Sequence, residues 1–238
     1  MAEGDVADAR SGAAAQGLSG RQAEARRNDA TILASARTVF VADPDAPIAA
    51  VAEHAGVNIS SLYRRFASKE DLLRQLCSDG LQIYLQAVRD AVQGQTGDPW
   101  VDFVTFMRRI VEADTLALTV KLAGRFQPDE QNMRDAAEAF SLNEQLMARV
   151  QEAGVVRRDL SAFDLSSIFE QISTIKAPTA ERTAELRERY LTLHLDALRA
   201  PGRTPLPDGP PTEEEQVTRW EPRLVASPTG GRRRRPSP

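Results

Sequence analysis

Between residues 21 and 199 the apolar positions of this chain recur at helical spacing. Ile32, Leu33, Ala36, Val39 and Phe40 fall at i, i+1, i+4, i+7 and i+8, the stripe that one helix face buries, and Asp43-Pro44 ends it. Asp45 is placed to cap a short second helix carrying Ile48, Val51, Ala52 and Ala55, which Gly56 closes with a sharp turn. Asn58 offers a side-chain oxygen to a third helix that buries Leu62 and Phe66. Ser68, followed by Asp71, resembles a capping box opening a fourth. Leu72, Leu73, Leu76, Ile83, Tyr84, Ala87 and Val88 keep that fourth helix amphipathic until Gly94.

A second block starts at Asp98-Pro99-Trp100, where Asp98 caps and Pro99 suits the first helical position. Further helices are predicted over 99–113, 115–124, 129–153, 161–176 and 180–199, with Gly154 and Pro178 marking two of the breaks. No stretch alternates with period two between hairpin turns, so the expected fold is all-α without a sheet. The two ends differ in character. Residues 1–20 are rich in Ala, Gly, Ser and Asp without an apolar period and read as an arm outside the fold. After Ala200 come nine of the 14 prolines and, near the end, the run Arg232, Arg233, Arg234, Arg235. Proline removes backbone donors, so this part reads as a tail with one short polar helix near Glu213 to Trp220.

Composition removes several function classes. Charged residues break every apolar run before the roughly 18 residues a membrane span needs. The acidic start, Glu3, Asp5 and Asp8, is unlike a secretory signal, so the expected compartment is the cytoplasm. Cys77 is the single cysteine, which excludes an internal disulfide. With only His54 and His194 beside it there is no zinc spacing, and no cofactor is implied. Glu53 and His54 are neighbours on a helix and point apart, no nucleophile accompanies them, and no spaced carboxylate pair shares a face, so an enzyme is not expected. The net charge of −4 does not advertise a nucleic-acid binder, and because 27 of the 30 basic residues are Arg, an isolated Arg carries little information. What matters is where charge sits.

The informative stretch runs from Ile48 to Leu73. Small Ala52 and Ala55 allow close helix approach, Gly56 absorbs the turn and Val57 plugs the corner. Left outward on the third helix are Ser60, Ser61, Tyr63, Arg64 and Arg65, and no acid occurs among residues 58–69. Such a face suits a phosphate-lined groove, with the first residues of the helix toward base edges and hydroxyl, Tyr and Arg groups toward phosphates. Lys69, in the first turn of the fourth helix, would add a phosphate contact beside that helix end's free N–H groups. The plain alternative is a helical hairpin in an ordinary bundle, in which the Arg residues are merely solvated.

As a set, Val51-Ala52, Ala55-Gly56-Val57, Leu62-Tyr63 with Phe66, and Ser68-Lys69-Glu70 with Leu72 resemble the TetR family of bacterial regulators, strongly over about 27–76 and beyond that in helical character and length. The resemblance implies a three-helix helix-turn-helix domain joined by a fourth helix to a C-terminal helical ligand-binding and dimerisation domain. It also implies a homodimer on a palindromic operator that usually represses and lets go when a small ligand enters the C-terminal domain. On that basis the chain divides into an arm at 1–20, a DNA-binding domain at 21–75, a regulatory and dimerisation domain at 76–199 and a Pro/Arg-rich tail at 200–238. Asn58, Ser60, Ser61, Tyr63, Arg64, Arg65 and Lys69 stand where the family places DNA contacts, with Arg65 where a histidine is common. Two departures stand out: Ala46-Pro47 replaces the Thr that often opens the second helix, and Asn58-Ile59 replaces a common Ser or Lys.

The resemblance also suggests that the last two helices, with Phe163, Leu165, Ile168, Phe169, Ile172, Leu186, Tyr190, Leu193 and Leu198, pack on their copy across a two-fold axis. An internal core is the competing reading for each of these residues. Phe103, Phe106, Met107, Leu116, Leu122, Phe126, Phe140 and Met147 either line an inducer pocket or are core. The Arg232 to Arg235 run either adds sequence-independent DNA affinity or is solvated. A competing class is a helical ligand-binding or protein-interaction module without DNA binding, for which Tyr63 and Lys69 would be dispensable.

Overall fold

Capping chemistry sets most of the helix boundaries. In a computed structural model of the protein, the described residues are 27–114, 118, 122, 124–202, 204–212 and 214–215. The 1–20 arm, Leu116, the Arg232 to Arg235 run and most of the expected helix near Glu213 to Trp220 lie outside them. Helix α1 spans 27–42. It is followed by α2 (Ile48–Ala55), α3 (Ile59–Arg65), α4 (Lys69–Gln93), α5 (Pro99–Ala113), α6 (Glu130–Glu152), α7 (Ala162–Ser173) and α8 (Ala180–Leu198). Of the helix expected over 115–124, Leu118 and Leu122 are described, and both are helical and buried. Among the described residues the extended pairing is confined to one antiparallel bridge, Val156 with Arg199.

Several caps are those the sequence predicts. Asp98 Oδ1 accepts from the Trp100 and Val101 amides with Pro99 at the first position, and Ser68 Oγ accepts from Asp71 N–H at 3.0 Å. Asp45 is a correction: α2 begins after Pro47 with no side-chain cap, and the Asp45 carboxylate is drawn instead to Arg125 at 2.8 Å. The N-cap position falls on Pro47, two residues past Asp45, whose side chain is left to the long-range cation. Ile83 also departs from expectation, being exposed on the outer side of α4.

Two apolar cores lie along α4, which at 25 residues is about 37 Å long. The first holds Ile32, Ala36, Phe40, Val51, Leu62, Phe66, Leu72, Leu73, Leu76 and Cys77, joined by Leu118 and Leu122 with Phe126 against it. The second gathers Leu85, Val88, Phe103, Phe106, Met107, Ile110, Leu146, Val150, Phe169, Leu191 and Leu195 from α4 to α8. Candidate pocket residues therefore separate: Leu122 and Phe126 belong with the first core, Phe103, Phe106, Met107 and Met147 fill the second, and Phe140 packs on Phe163 with ring centroids 5.5 Å apart.

A buried ionic knot closes the far end of the second core. Asp102, only 3% exposed, accepts from the Thr96 amide at 2.9 Å, the Thr96 hydroxyl at 2.8 Å and Arg149 Nη2 at 2.9 Å, and Arg149 also donates to the Ala91 carbonyl. Burial by itself would raise the Asp102 carboxyl, but these hydrogen bonds from Thr96 and Arg149 outweigh it and hold the group below the ordinary carboxylate range. Gly94 lies against the same guanidinium. Its φ is 76°, which selects glycine, and a Cβ there would stand 2.6 Å from Arg149 Nη2, so the guanidinium would have to shift within the knot.

Past α8 the first residues of the proline-rich part are held against the fold. Arg157 Nη2 donates to the Thr204 carbonyl at 2.6 Å and Leu206 N–H donates to Asp159 Oδ2 at 3.1 Å. The Arg157 pairing and the Leu206 amide keep the Asp159 carboxyl well below its usual range.

Candidate nucleic-acid interface

The turn between α2 and α3 follows from Gly56. At φ 66° its N–H still reaches Glu53 O at 3.1 Å, and Val57 N–H returns to Ala52 O at 3.0 Å. A Cβ at Gly56 would meet nothing within 4 Å, so the left-handed backbone is what selects glycine. Asn58 then caps α3 as its sequence position predicts. Its Oδ1 accepts from the Ser60 amide at 2.9 Å and from the Ser60 hydroxyl at 2.8 Å. Leu62 is fully buried and Phe66, one residue past the helix, is buried too, so two apolar anchors fix α3 against the first core.

The remaining side chains of α3 face outward, but they are not equally free. Tyr63 is 49% exposed, and among the described residues its hydroxyl makes no hydrogen bond. Arg64 Nη2 leans on Ser61 Oγ at 3.2 Å. Arg65 is turned back toward α1, pairing with Asp29 at 2.9 Å and lying over the Phe66 ring at 5.9 Å. Lys69 is half-buried: its Nζ donates to the Ala46 carbonyl at 2.7 Å and the Pro44 carbonyl at 3.3 Å, and sits 5.2 Å from the centre of the Phe40 ring. That ammonium pins the α1–α2 loop to the start of α4 and keeps one donor to spare. Asp29 and the two carbonyls lie 23 to 36 residues from their partners, so spacing within the motif could not reveal them.

The structure thus brings Ser60, Ser61, Tyr63 and Arg64 together on one outer face and ties Asn58, Arg65 and Lys69 partly inward. Ile59, marked by the sequence only as part of the Asn58-Ile59 departure and not among the expected contacts, joins that face. It is 38% exposed and lies one turn from Tyr63 on that face. Its signal was an apolar residue at the outset of an otherwise polar helix.

A solvent-facing, acid-free helix held by a glycine turn over a small apolar core is the geometry of a helix-turn-helix DNA reader. Comparison with known proteins agrees. Residues 32–76 match the family of bacterial regulatory proteins, tetR family, and residues 96–200 match the transcriptional regulator SbtR-like C-terminal domain. A TetR transcriptional regulator of Streptomyces coelicolor is 26% identical, with 72% of this chain and 98% of that one covered at a TM-score of 0.50. A TetR transcription regulatory protein of Mycobacterium vanbaalenii is 23% identical (75% and 99% covered, TM-score 0.51), and a gamma-butyrolactone receptor is 18% identical (72% and 85%, TM-score 0.52). No curated protein matches the sequence. The chain belongs to the TetR family and is a DNA-binding transcriptional regulator.

Proposed function

We propose that α3 enters the major groove of a palindromic operator with Ser60 and Ser61 toward base edges and with Tyr63 and Arg64 on phosphates. Lys69 and Asn58 hold the helix in place, and Arg65 serves chiefly as a tie to α1. The observation that carries this reading is the exposed, acid-free face of α3, with the Tyr63 hydroxyl unspent. Two copies are needed to grip two half-sites. The apolar residues Tyr190 and Leu193 on the outer side of α8, 45% and 55% exposed, suit packing against a second copy, whereas Leu165, Ile168, Phe169, Ile172 and Leu198 serve the chain's own core. The reading takes residues 21–75 as the DNA-binding domain and 76–199 as the regulatory and dimerisation domain.

Repression relieved by a small ligand fits the links between the two cores. Leu118 and Leu122 sit in the first core, Arg125 grips Asp45 at the entry to α2, and Arg37 donates to the Ala113 carbonyl at 3.2 Å. At the other end of that segment Asp114 pairs with Arg187 of α8 at 2.9 Å. A cavity of about 10 Å³ beside this pair, lined by Ile110, Phe169 and Ile172, has room for no more than a water. A ligand entering at this place would have to select a more open arrangement of α5, α7 and α8, and would release DNA only if that arrangement misplaces the reading helices.

Selection from a pool of random short duplexes, followed by titration across salt, tests the reading. A palindrome bound with a steep salt dependence is expected. Enrichment of no sequence, with weak binding even at low salt, would remove it in favour of a helical ligand-binding module. Lys69→Met separates the two roles of that residue. As a loop pin, its loss should lower Tm by about 3–6 °C, the equivalent of one hydrogen bond of about 1.5 kcal/mol from a charged donor, with the salt slope unchanged. A slope reduced by about 0.9 per half-site at unchanged Tm would make Lys69 a phosphate contact instead.

A further inference from the structure

Ile59 is an apolar, branched side chain held on the outside of the recognition helix. Isolated exposed apolar residues are ordinary on protein surfaces, so exposure alone decides nothing. Three observations single this one out. Ile59 and Tyr63 are separated by four residues on α3 and so lie on the same face, a short apolar strip continuous with the DNA interface. The polar groups next to Ile59 are engaged with each other: the Asn58 amide oxygen takes both the Ser60 amide and the Ser60 hydroxyl hydrogen. A β-branched side chain is also restricted at χ1, so it presents its methyl groups with less entropy to lose than an unbranched one.

On the reading that α3 lies in the major groove, we infer that Ile59 is a specificity-determining residue that packs against the C5-methyl group of a thymine in each operator half-site. The major groove offers one apolar feature that distinguishes base pairs, and that feature is the thymine methyl. A hydrocarbon facing any other base edge would leave its donors and acceptors without water or partner, so Ile59 selects A·T at its position both by contact and by that exclusion.

The experiment uses the full chain and the operator recovered by selection. Each thymine of one half-site is replaced in turn by 2′-deoxyuridine, which removes the methyl and keeps Watson–Crick pairing. At one position the wild type should lose about fourfold in affinity, the factor expected for one buried methyl group. Ile59→Ala should bind the thymine and uracil operators equally, while Ile59→Val, which keeps branched methyls, should retain most of the discrimination. Because Ile59 lies outside the core, both variants should melt with the wild type. A thymine-to-uracil penalty of equal size in the wild type and Ile59→Ala would assign the methyl to another side chain and overturn the inference. Half-sites without a thymine under α3 would overturn it as well. If no duplex is enriched at all, the DNA reading fails and takes the inference with it, an outcome distinct from an operator bound without methyl dependence.

Discussion

Asp102→Ala should cost the protein about 3 kcal/mol, seen as a fall of roughly 6–12 °C in Tm for a chain of this size. The substitution removes the acceptor of three hydrogen bonds at once and leaves the Arg149 guanidinium without its counter-charge. Arg149 retains the Ala91 carbonyl and is a quarter exposed, which keeps the expected loss at the lower end of what an orphaned buried charge costs. The penalty also has a pH signature. The folded-state pKa of Asp102 is depressed, so its contribution is complete above the unfolded carboxylate value of about 4 and is lost as pH falls through the lower folded value. Thermal melts of wild type and variant should therefore differ most at neutral pH and converge in acid. A gap that stays constant from pH 7 to pH 3 would show that the loss comes from packing and not from the charge. DNA affinity at temperatures well below the melt should change little, because the knot joins the ends of α4, α5 and α6 away from α3.

The helices came from apolar period and caps, both local, and Asp98, Asn58, Ser68, Gly56 and Gly94 all stand where the chain turns. The helix-turn-helix was legible for the same reason: its glycine, its small residues and its apolar anchors lie within a couple of dozen residues. The failures are non-local. Asp45 looked like a cap until Arg125, 80 residues away, claimed its carboxylate. Leu122 and Phe126 stood open between pocket and core, and nothing local told which core they join: they pack on the first, with the DNA-reading helices. Lys69 and Arg65 looked free because a motif read in one dimension does not contain Pro44, Ala46 or Asp29. Asp102 and Arg149 drew no notice, since neither spacing nor composition marks a pair 47 residues apart. Local chemistry writes secondary structure and the reading head; the ionic ties that orient them depend on tertiary proximity.

That distinction bears on Tyr63, whose replacement should separate DNA binding from stability more cleanly than that of any other α3 residue. Tyr63→Ala is expected to weaken operator binding about a hundredfold. A hydrogen bond from the hydroxyl to a charged phosphate contributes about 1.5 kcal/mol, and a dimer on a palindrome loses two of them. The fold should not register the change. Tyr63 is half exposed, and its hydroxyl makes no hydrogen bond among the described residues, so the shift in Tm should be within a degree or two. The salt slope should also stay as it was, because a neutral hydroxyl displaces no counterion. Arg64→Ala, by contrast, should flatten the slope by about 0.9 for each half-site. Anisotropy titrations at several salt concentrations read both quantities. Tyr63→Phe refines the result: it keeps the ring and deletes the donor, so a loss equal to that of Tyr63→Ala assigns the effect to the phosphate hydrogen bond, and a much smaller loss assigns it to the ring packing beside Ile59. Undiminished binding by Tyr63→Ala would falsify the placement of Tyr63 on a phosphate and leave the groove reading to Ser60, Ser61 and Arg64.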